Sequence, residues 1–406
     1  MELEEVLRGI EGSREDMISI MRDFIPIKAL APINGGDGEG KRADALQKHL
    51  VGYDSVIRID VPDDFNPEIM RPNILARKNG KKPGTVWIVA HTDTVPVDDL
   101  KDWNTDPFEA TIIGSRIYGR GTEDNGQAIV SSIFASKFIP KEDLNGMSIG
   151  IALVADEETT SKMGVDHLLK AGLFSKDDVF IVPDWGSPNG ELIDISEKNL
   201  IWLQFNVIGK TAHGSTPDRG LNAFKVGSIL MTRLMDELAK RFPERDPLYD
   251  PPYSTFEPTK SPGTVSNVNT IPGNFEVSFD MRMLPIHHPD DVKAFSEQIC
   301  KDVEVETGAT IMVTEVQRHA SGRESSTESP TYKALMESIE EVTGVIPVPI
   351  GVGGATCANF FRREGYDSYV WEHGGGTLHG PNEYVEIGNI MIDAKVFATL
   401  FYKLCV

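Results

Sequence analysis

The 406-residue sequence has few cysteines and no apolar run that approaches the length of a membrane span. Cys300, Cys357 and Cys405 are odd in number and far apart, which argues against a disulfide framework and indicates a reducing compartment. The N-terminal stretch MELEEVLRGI lacks the basic flank and apolar core of a secretory signal peptide. We therefore expect a cytoplasmic protein without a membrane partner.

Basic residues are also scarce relative to acidic ones. The chain has 40 Lys and Arg against 62 Asp and Glu, which gives a net charge of −22. A field of this sign repels nucleic acids and anionic membrane surfaces, and it suits solubility or the capture of cations. The composition therefore predicts no nucleic-acid partner and is compatible with a protein that binds cations.

Short apolar runs alternate with helical stretches in the first half of the chain. TVWIVA (85–90), SIGIALVA (148–155) and VFIVP (179–183) predict strands, and the apolar spacing of 125–139 and 164–174 predicts helices. Strands that alternate with helices indicate βαβ units and a largely parallel sheet. At this length we also expect two domains, because the chain exceeds what one hydrophobic core usually organises.

The middle of the chain follows a different pattern. Its predicted elements are strand 200–209, helix 222–242, a hairpin formed by 263–272 and 274–284, helix 289–308 and strand 310–316. This β-α-β-β-α-β order is the split βαβ arrangement. We expect the segment 198–318 to be inserted in a first domain that is formed by 1–197 and 319–406.

An acidic triplet follows the predicted strand 148–155. Asp156, Glu157 and Glu158 repel one another unless a cation or a shared proton compensates their charge. A solvated turn is the alternative for an isolated triplet, and it remains the better interpretation of Asp156, as a solvated or capping residue. His91 and Asp93 follow the strand 85–90 in the same way.

The carboxyl ends of these strands predict a metal site. Asp184 follows the third strand, Asp124 precedes the helix 125–139, and His379 lies in a glycine-rich loop. In an open α/β sheet the ligand crevice lies outside the carboxyl ends of the strands. Mixed nitrogen and oxygen ligands suit zinc, cobalt and manganese. The six candidates are His91, Asp124, Glu157, Glu158, Asp184 and His379. They exceed the needs of a two-metal site by one carboxylate, which is then free for acid–base chemistry.

Seven motifs of the chain resemble those of the M20 metallopeptidase family. They are HTDTVP, GRGTEDNG, ADEE, PDWG, GKTAHGSTPDRGLNAF, NTIPGNFEVSFDMR and LHGPNE, and they occur in family order between about residues 88 and 386. The resemblance implies a zinc-exopeptidase-like α/β fold, with a mostly parallel sheet flanked by helices. It also implies that the insert is a ferredoxin-like lid and dimerisation domain, so that the protein would be a homodimer.

The resemblance also implies roles at the metal site. It assigns one metal to His91 and Asp184, the other to Glu158 and His379, and the bridging position to Asp124. Glu157 would be the general base, and Asp93 would accept the second ring N–H of His91. The bond Asp124–Asn125 would be a cis peptide. Three alternatives stay open: exchanged roles for Glu157 and Glu158, a merely capping Asp184, and a mononuclear site.

Substrate contacts follow from the same resemblance. His213 would reach the active site of a partner subunit and steady the tetrahedral oxyanion, and Asn269 and Arg282 would bind the carboxylate of the substrate. Thr356 lies in GGATCANF, a segment that often lines the substrate pocket. The alternatives are a structural role for His213 and a surface pairing of Arg282 with a nearby carboxylate, Glu276 or Asp280.

The expected reaction is hydrolysis of an amide or peptide bond in an N-acyl amino acid or short peptide with a free carboxylate. Two divalent ions would serve as cofactors, with zinc preferred and cobalt or manganese as alternatives. Asp at position 184 is the pattern of the carboxypeptidase and dipeptidase branches, which favours these over succinyl-diaminopimelate desuccinylase or acetylornithine deacetylase. A catalytically silent relative that only binds is the remaining hypothesis, and it is disfavoured because every ligand and the base are present.

Overall fold

The computed structural model describes residues 2–406, which form two units. The first unit comprises the chain up to Ile195, Glu324–Ile350 and Thr356–Val406, and the second comprises Ser196–Arg323 with Gly351–Ala355. None of the helices between residues 2 and 406 combines the length and the apolar character that a bilayer crossing requires.

The described residues form ten α-helices and seventeen strands. The helices are α1 Leu3–Glu11, α2 Arg14–Phe24, α3 Gly40–Gln47, α4 Ala128–Lys137, α5 Val165–Lys170, α6 Ala223–Arg241, α7 Pro289–Thr307, α8 Pro330–Thr343, α9 Ala358–Arg363 and α10 Ile387–Cys405. The strands are β1 Ser55–Pro62, β2 Met70–Lys78, β3 Thr85–His91, β4 Thr111–Ile113, β5 Arg116–Tyr118, β6 Ser148–Val154, β7 Val179–Val182, β8 Leu192–Glu197, β9 Asn199–Ile208, β10 Ala212–His213, β11 Thr255–Lys260, β12 Thr270–Ile271, β13 Asn274–Met283, β14 Thr310–His319, β15 Val348–Val352, β16 Ser368–Val370 and β17 Tyr384–Glu386.

An eight-stranded sheet organises the first unit, in the order β1-β2-β6-β3-β7-β16-β8-β15. Its centre, β6-β3-β7-β16, is parallel, whereas β1 pairs antiparallel with β2, β2 with β6, and β8 with β16. Every residue of β3 and β6 is buried, as expected for continuous apolar runs in a covered parallel sheet. Helices α4, α9 and α10 pack against the central strands. The predicted α/β fold with a mostly parallel sheet flanked by helices is confirmed.

A four-stranded antiparallel sheet organises the second unit, in the order β11-β13-β9-β14. The chain order β9-α6-β11-β13-α7-β14 follows the β-α-β-β-α-β pattern. Alternate residues of the strands, such as Leu203, Phe205 and Phe279, form one buried core with Leu230 of α6 and Val303 of α7. Helices α6 and α7 therefore cover one face of this sheet.

The predicted hairpin between 263–272 and 274–284 is wrong in its first strand. The strand that pairs with β13 is β11, Thr255–Lys260, and most of 263–272 lies in an exposed segment. The run TVSNV is too sparse in apolar residues to bury a face, and Val268 is fully exposed. Pro258 makes the sequence of β11 resemble that of a loop. In the structure β11 is an edge strand, where proline is tolerated.

Candidate metal centre

The carboxyl ends of three adjacent parallel strands lie side by side, as the sequence predicts. His91 is the last residue of β3 and pairs in register with Val154, the last residue of β6. Ile88 of β3 pairs with Ile181 of β7, which places Asp184 at the same edge, two residues beyond the end of β7. The turn that carries Glu157 and Glu158 follows β6 directly. The residues therefore meet because parallel strands direct their carboxyl ends to the same edge of the sheet.

Asp124 lies between two histidines. It lies in the segment Thr122–Gln127 that precedes α4, where the backbone of Asp124 and Asn125 is not helical. Its Oδ1 is 2.7 Å from Nε2 of His91, and its Oδ2 is 3.0 Å from Nε2 of His379. One carboxylate oxygen thus faces each imidazole. The peptide bond Asp124–Asn125 is cis, as the resemblance implied.

Each of the two imidazoles, His91 and His379, also lies close to a second carboxylate. Asp184 Oδ1 is 3.2 Å from His91 Nε2, and Glu158 Oε2 is 3.1 Å from His379 Nε2. Ligand atoms of His91, Glu157 and Asp184 lie within 4.8 Å of one another, as do those of His91, Asp124 and Glu158. Glu157 and Glu158 are therefore neighbours in sequence that join different groups.

Asp93 contacts more of the site than the sequence predicts. Its main-chain oxygen is 3.1 Å from Nδ1 of His91, and its carboxylate Oδ1 is 3.5 Å from the same nitrogen. The two carboxylate oxygens also accept the backbone N–H groups of Glu157 and Glu158, each at 3.1 Å. Asp93 therefore orients the imidazole mainly through its carbonyl group, while its side chain holds the turn that carries both glutamates.

The carboxylates shift the pKa values of the two histidines upward. Burial lowers the pKa of His91, but the neighbouring carboxylates, Asp124 first, outweigh it and hold that pKa well above its ordinary value. Hydrogen bonds to Asp124 and Glu158 raise the pKa of His379 to about 10. Both imidazoles therefore lie in a strongly negative environment.

The same cluster shifts the pKa values of its own acids. Burial, followed by repulsion from Asp184, raises the pKa of Glu157 well above its ordinary value. Burial, followed by repulsion from Asp124, raises the pKa of Glu158 to about 7. For Asp124, burial opposes ionisation, but His91 and His379 hold its pKa below the usual range. The carboxylates of the cluster therefore repel one another, and only Asp124, between the two imidazoles, is favoured in its ionised form.

These residues fit divalent metal ions. Glu158 Oε1 is buried and has no hydrogen-bond partner among the described residues, although a buried carboxylate oxygen normally has one. The donor set combines two imidazoles with carboxylates, a mixture that zinc and related ions accept. A dication between these groups would compensate the repulsion between the carboxylates.

Two glutamates that the sequence analysis overlooked brace the site. Glu383 accepts the backbone N–H groups of Gly121, Glu123 and Asp124 at 3.0 Å and a hydrogen bond from Arg120 at 2.7 Å. Arg120 also donates to the main-chain oxygen of His379. The sequence contained a signal for Glu383, because this residue ends the motif LHGPNE.

The second brace is Glu123. Its carboxylate accepts the backbone N–H groups of Gly375, Gly376 and Thr377 at 2.5–2.9 Å, and also the Thr377 hydroxyl. The glycine-rich loop that leads to His379 is therefore tied to the residue that precedes Asp124. Only the folded chain brings these segments together.

Asp156 is not a solvated residue, since its side chain is fully buried. Its carboxylate accepts hydrogen bonds from the hydroxyls of Thr159 and Thr160 and from the backbone N–H of Met163. The interpretation as a solvated residue is therefore wrong, and the carboxylate instead bonds groups of its own turn. The turn carrying the two glutamates is closed by the third acid of the triplet.

The predicted substrate contacts His213 and Asn269 lie side by side in the second unit. Gly214 N–H donates to the Asn269 carbonyl at 2.7 Å, next to the ribbon formed by β10 and β12, and both residues are exposed. The His213 imidazole bonds Ser215 Oγ at 2.8 Å. Their roles toward a substrate remain predictions.

Arg282 and Thr356 have partners within their own units. The guanidinium of Arg282 donates to Asp280 at 2.7 and 3.0 Å and to the Gly353 carbonyl at 2.7 Å. This is the pairing that the sequence analysis weighed as an alternative. Thr356 is buried, and its hydroxyl accepts the backbone N–H of Ala358 at the start of α9. A substrate role for either residue remains a prediction.

Comparison with known proteins identifies the family. The model of peptidase family M20/M25/M40 matches residues 87–403. An uncharacterized metallohydrolase of Methanococcus maripaludis is 36% identical and covers 94% of this chain and 98% of its own length. A succinyl-diaminopimelate desuccinylase of a Caulobacter species is 27% identical, over 81% of this chain and 83% of its own. The structure of human carnosine dipeptidase 1 superposes with a TM-score of 0.74 at 18% identity, covering 99% of both chains. The protein is therefore a metallohydrolase that belongs to peptidase family M20/M25/M40.

Proposed function

We propose that the chain is a dinuclear metal-dependent hydrolase of amide or peptide bonds in N-acyl amino acids or short peptides with a free carboxylate. The observation that carries this proposal is the Asp124 carboxylate between two imidazoles, with one oxygen toward His91 and the other toward His379. Asp184 and Glu158 complete two ligand sets around this shared carboxylate. Zinc suits both sets best, with cobalt and manganese as alternatives.

The residues of the site divide the chemistry between them. When bound, the metal ions would polarise a substrate carbonyl and ease the ionisation of water. Glu157 is left over from the two ligand sets, and it lies within 4.8 Å of ligand atoms of His91 and Asp184. As general base it accepts a proton from the attacking water and returns it to the leaving amine.

Hydrogen bonds hold these groups in place before a substrate arrives. Asp93 fixes the backbone of Glu157 and Glu158. The Asn125 amide donates to Asp184 Oδ1 at 3.0 Å and so orients that carboxylate. Charges that are held in advance need little reorganisation during the reaction, which is a principal source of catalysis.

The second unit would supply substrate contacts as a lid and dimerisation domain. His213 would steady the oxyanion in the active site of a partner subunit, and Asn269 and Arg282 would bind the substrate carboxylate, with Thr356 at the pocket. The exposed and adjacent positions of His213 and Asn269 support this role. Exposed apolar side chains on the same unit, such as Phe224, are compatible with a dimer interface.

Two substrate classes are distinguishable by assay. Asp at position 184 favours carboxypeptidase or dipeptidase activity. The second candidate is desuccinylase or deacetylase activity, which the identity to the Caulobacter desuccinylase favours. A panel of dipeptides, N-succinyl and N-acetyl amino acids, each assayed with zinc, cobalt and manganese, separates the two by their kcat/KM values.

Metal analysis combined with two matched variants tests the proposal. We expect about two ions per chain, as a dinuclear site requires. Glu157→Gln should keep both ions and lose kcat by about 10²–10⁴-fold, the usual contribution of a general base. Glu158→Gln should instead lose metal. Near-normal turnover of Glu157→Gln would exclude it as the base, about one ion per chain would favour a mononuclear site, and none would favour a silent binding protein.

A further inference from the structure

A buried arginine lies directly behind the turn that carries the two active-site glutamates. Arg71, on β2, has an exposed side-chain fraction of 1%. Its Nε donates to Glu39 Oε2 at 2.6 Å, and its Nη2 donates to the other oxygen of the same carboxylate. Its Nη1 donates to Asp63 Oδ2 at 2.8 Å and to Asp156 Oδ1 at 3.4 Å. One guanidinium therefore bonds three buried carboxylates.

This network reaches the metal centre through two residues. Asp156 immediately precedes Glu157, and its backbone N–H donates to Glu39 Oε1 at 3.2 Å. Asp93, whose carboxylate holds the N–H groups of Glu157 and Glu158, has Oδ2 3.9 Å from Arg71 Nη2. The turn is thus held by acids on both sides, and Arg71 contacts both acids.

An arginine suits this position because several negative charges lie close together and need a cation to compensate their repulsion. Glu39, Asp63, Asp93 and Asp156 are all buried. Like charges in a low-dielectric interior repel strongly unless a cation with well-placed hydrogen bonds lies between them. The planar guanidinium offers five donors in a fixed fork, whereas a lysine ammonium is a single compact charge that cannot bond all these partners at once.

We propose that Arg71 is a positioning residue of the metal centre, which acts through Asp93 and Asp156 to set the orientation of Glu157 and Glu158. This inference rests on the proposed function of those two glutamates as base and ligand. The competing explanation is that Arg71 only stabilises the first unit. The two explanations differ in whether metal binding and turnover change in the fraction of the protein that remains folded.

Arg71→Lys and a matched control test the proposal. The control is Arg362→Lys, because Arg362 is equally buried in the same unit and bonds the main-chain oxygens of Ser368 and Asp194 rather than the glutamate turn. Both variants should melt at lower temperature than the unmodified chain. Folded, cobalt-loaded Arg71→Lys should lose cobalt affinity and kcat by about 10–100-fold, as expected for groups that orient ligands. Its visible cobalt spectrum should shift, whereas that of Arg362→Lys should not.

Glu39→Gln provides a second variant, which is nearly isosteric with the unmodified side chain. It leaves Arg71 paired with Asp63, Asp93 and Asp156 but removes the carboxylate that holds both the guanidinium and the Asp156 N–H. We expect weaker cobalt binding than in the unmodified chain and a shifted spectrum, with an unchanged KM.

The role of Arg71 would be overturned by either variant, Glu39→Gln or folded Arg71→Lys, if it behaved like the unmodified chain. That result would be a cobalt affinity and a kcat within twofold of the unmodified values, with an unshifted cobalt spectrum. Failure of the proposed function itself would appear in the unmodified chain, as an absence of bound cobalt and of hydrolysis. The two failures are therefore distinguishable.

Discussion

At the carboxyl edge of the eight-stranded sheet, candidate ligands such as His91 and Asp124 are buried among hydrogen-bonded acids. In the second unit, by contrast, His213 and Asn269 lie exposed at the ribbon formed by the two-residue strands β10 and β12. Glu383 holds backbone N–H groups around Asp124, while the His213 side chain bonds only to its near neighbour Ser215 among the described residues.

The difference indicates two kinds of candidate functional residue. Buried charges must be held by the fold, because an unpaired one would neutralise or distort the site. Exposed residues need no such support and can form their contacts when a substrate or partner binds. Substitutions in the first region should therefore remove chemistry outright, and those in the second should reduce it by smaller factors.

The largest effect is expected for Asp124→Asn. Loss of the shared carboxylate charge should remove metal from both ligand sets and lower kcat/KM by about a thousandfold or more, because the Lewis-acid contribution is lost. Metal content and turnover are measured together. Asp178→Asn is the matched control, since Asp178 is a buried carboxylate of the same unit that bonds Thr85 N–H and Trp87 Nε1. It should lower stability and keep the metal. Full metal content in Asp124→Asn would contradict the bridging role.

A smaller effect is expected for His213→Ala. The variant should keep its metal and lose kcat by about a hundredfold, the usual effect of removing one oxyanion donor. His288→Ala is the control, because His288 is another exposed histidine of the second unit and only caps α7. Mixed dimers of His213→Ala and Glu157→Gln chains should regain part of the activity if His213 acts across subunits. Assembled mixed dimers without any gain would argue against that role.

The smallest effect is expected for Arg282→Lys. Loss of the planar fork should raise KM for a substrate with a free carboxylate by about fivefold, or about 1 kcal/mol, while the amidated analogue is unaffected. If Arg282 serves only its pairing with Asp280, KM will stay constant for both substrates and only the melting temperature will fall. Steady-state kinetics on the two substrates and a thermal melt decide between these results.

The sequence predicted the residues that meet at the sheet edge better than the groups around them. His91, Asp124, Glu158 and His379 were recognisable because each lies in a short motif, after a strand, before a helix or in a glycine-rich loop. Asp156 was assigned as solvated or capping, and its burial could not be read from an acidic triplet alone. Arg71 went unnoticed because its partners lie 32, 8 and 85 positions away along the chain.

The insert shows the same limit in its fold. Strands β9 and β13 and helices α6 and α7 were predicted near their actual bounds, because their apolar residues recur with the period of the element. Strand β11 was missed because Pro258 signals a loop, and only the pairing with β13 at a sheet edge makes it a strand.

The amino-acid sequence by itself determined the elements, the family motifs and the kinds of side chain that end each strand, because these depend on neighbours within a few residues. Only the tertiary structure decided which oxygen of Asp124 faces which imidazole, which groups hold the glutamate turn, and that Arg282 bonds Asp280 and Gly353. These features depend on the distances and burial that arise when remote segments pack together, and burial in turn sets the electrostatics of the site.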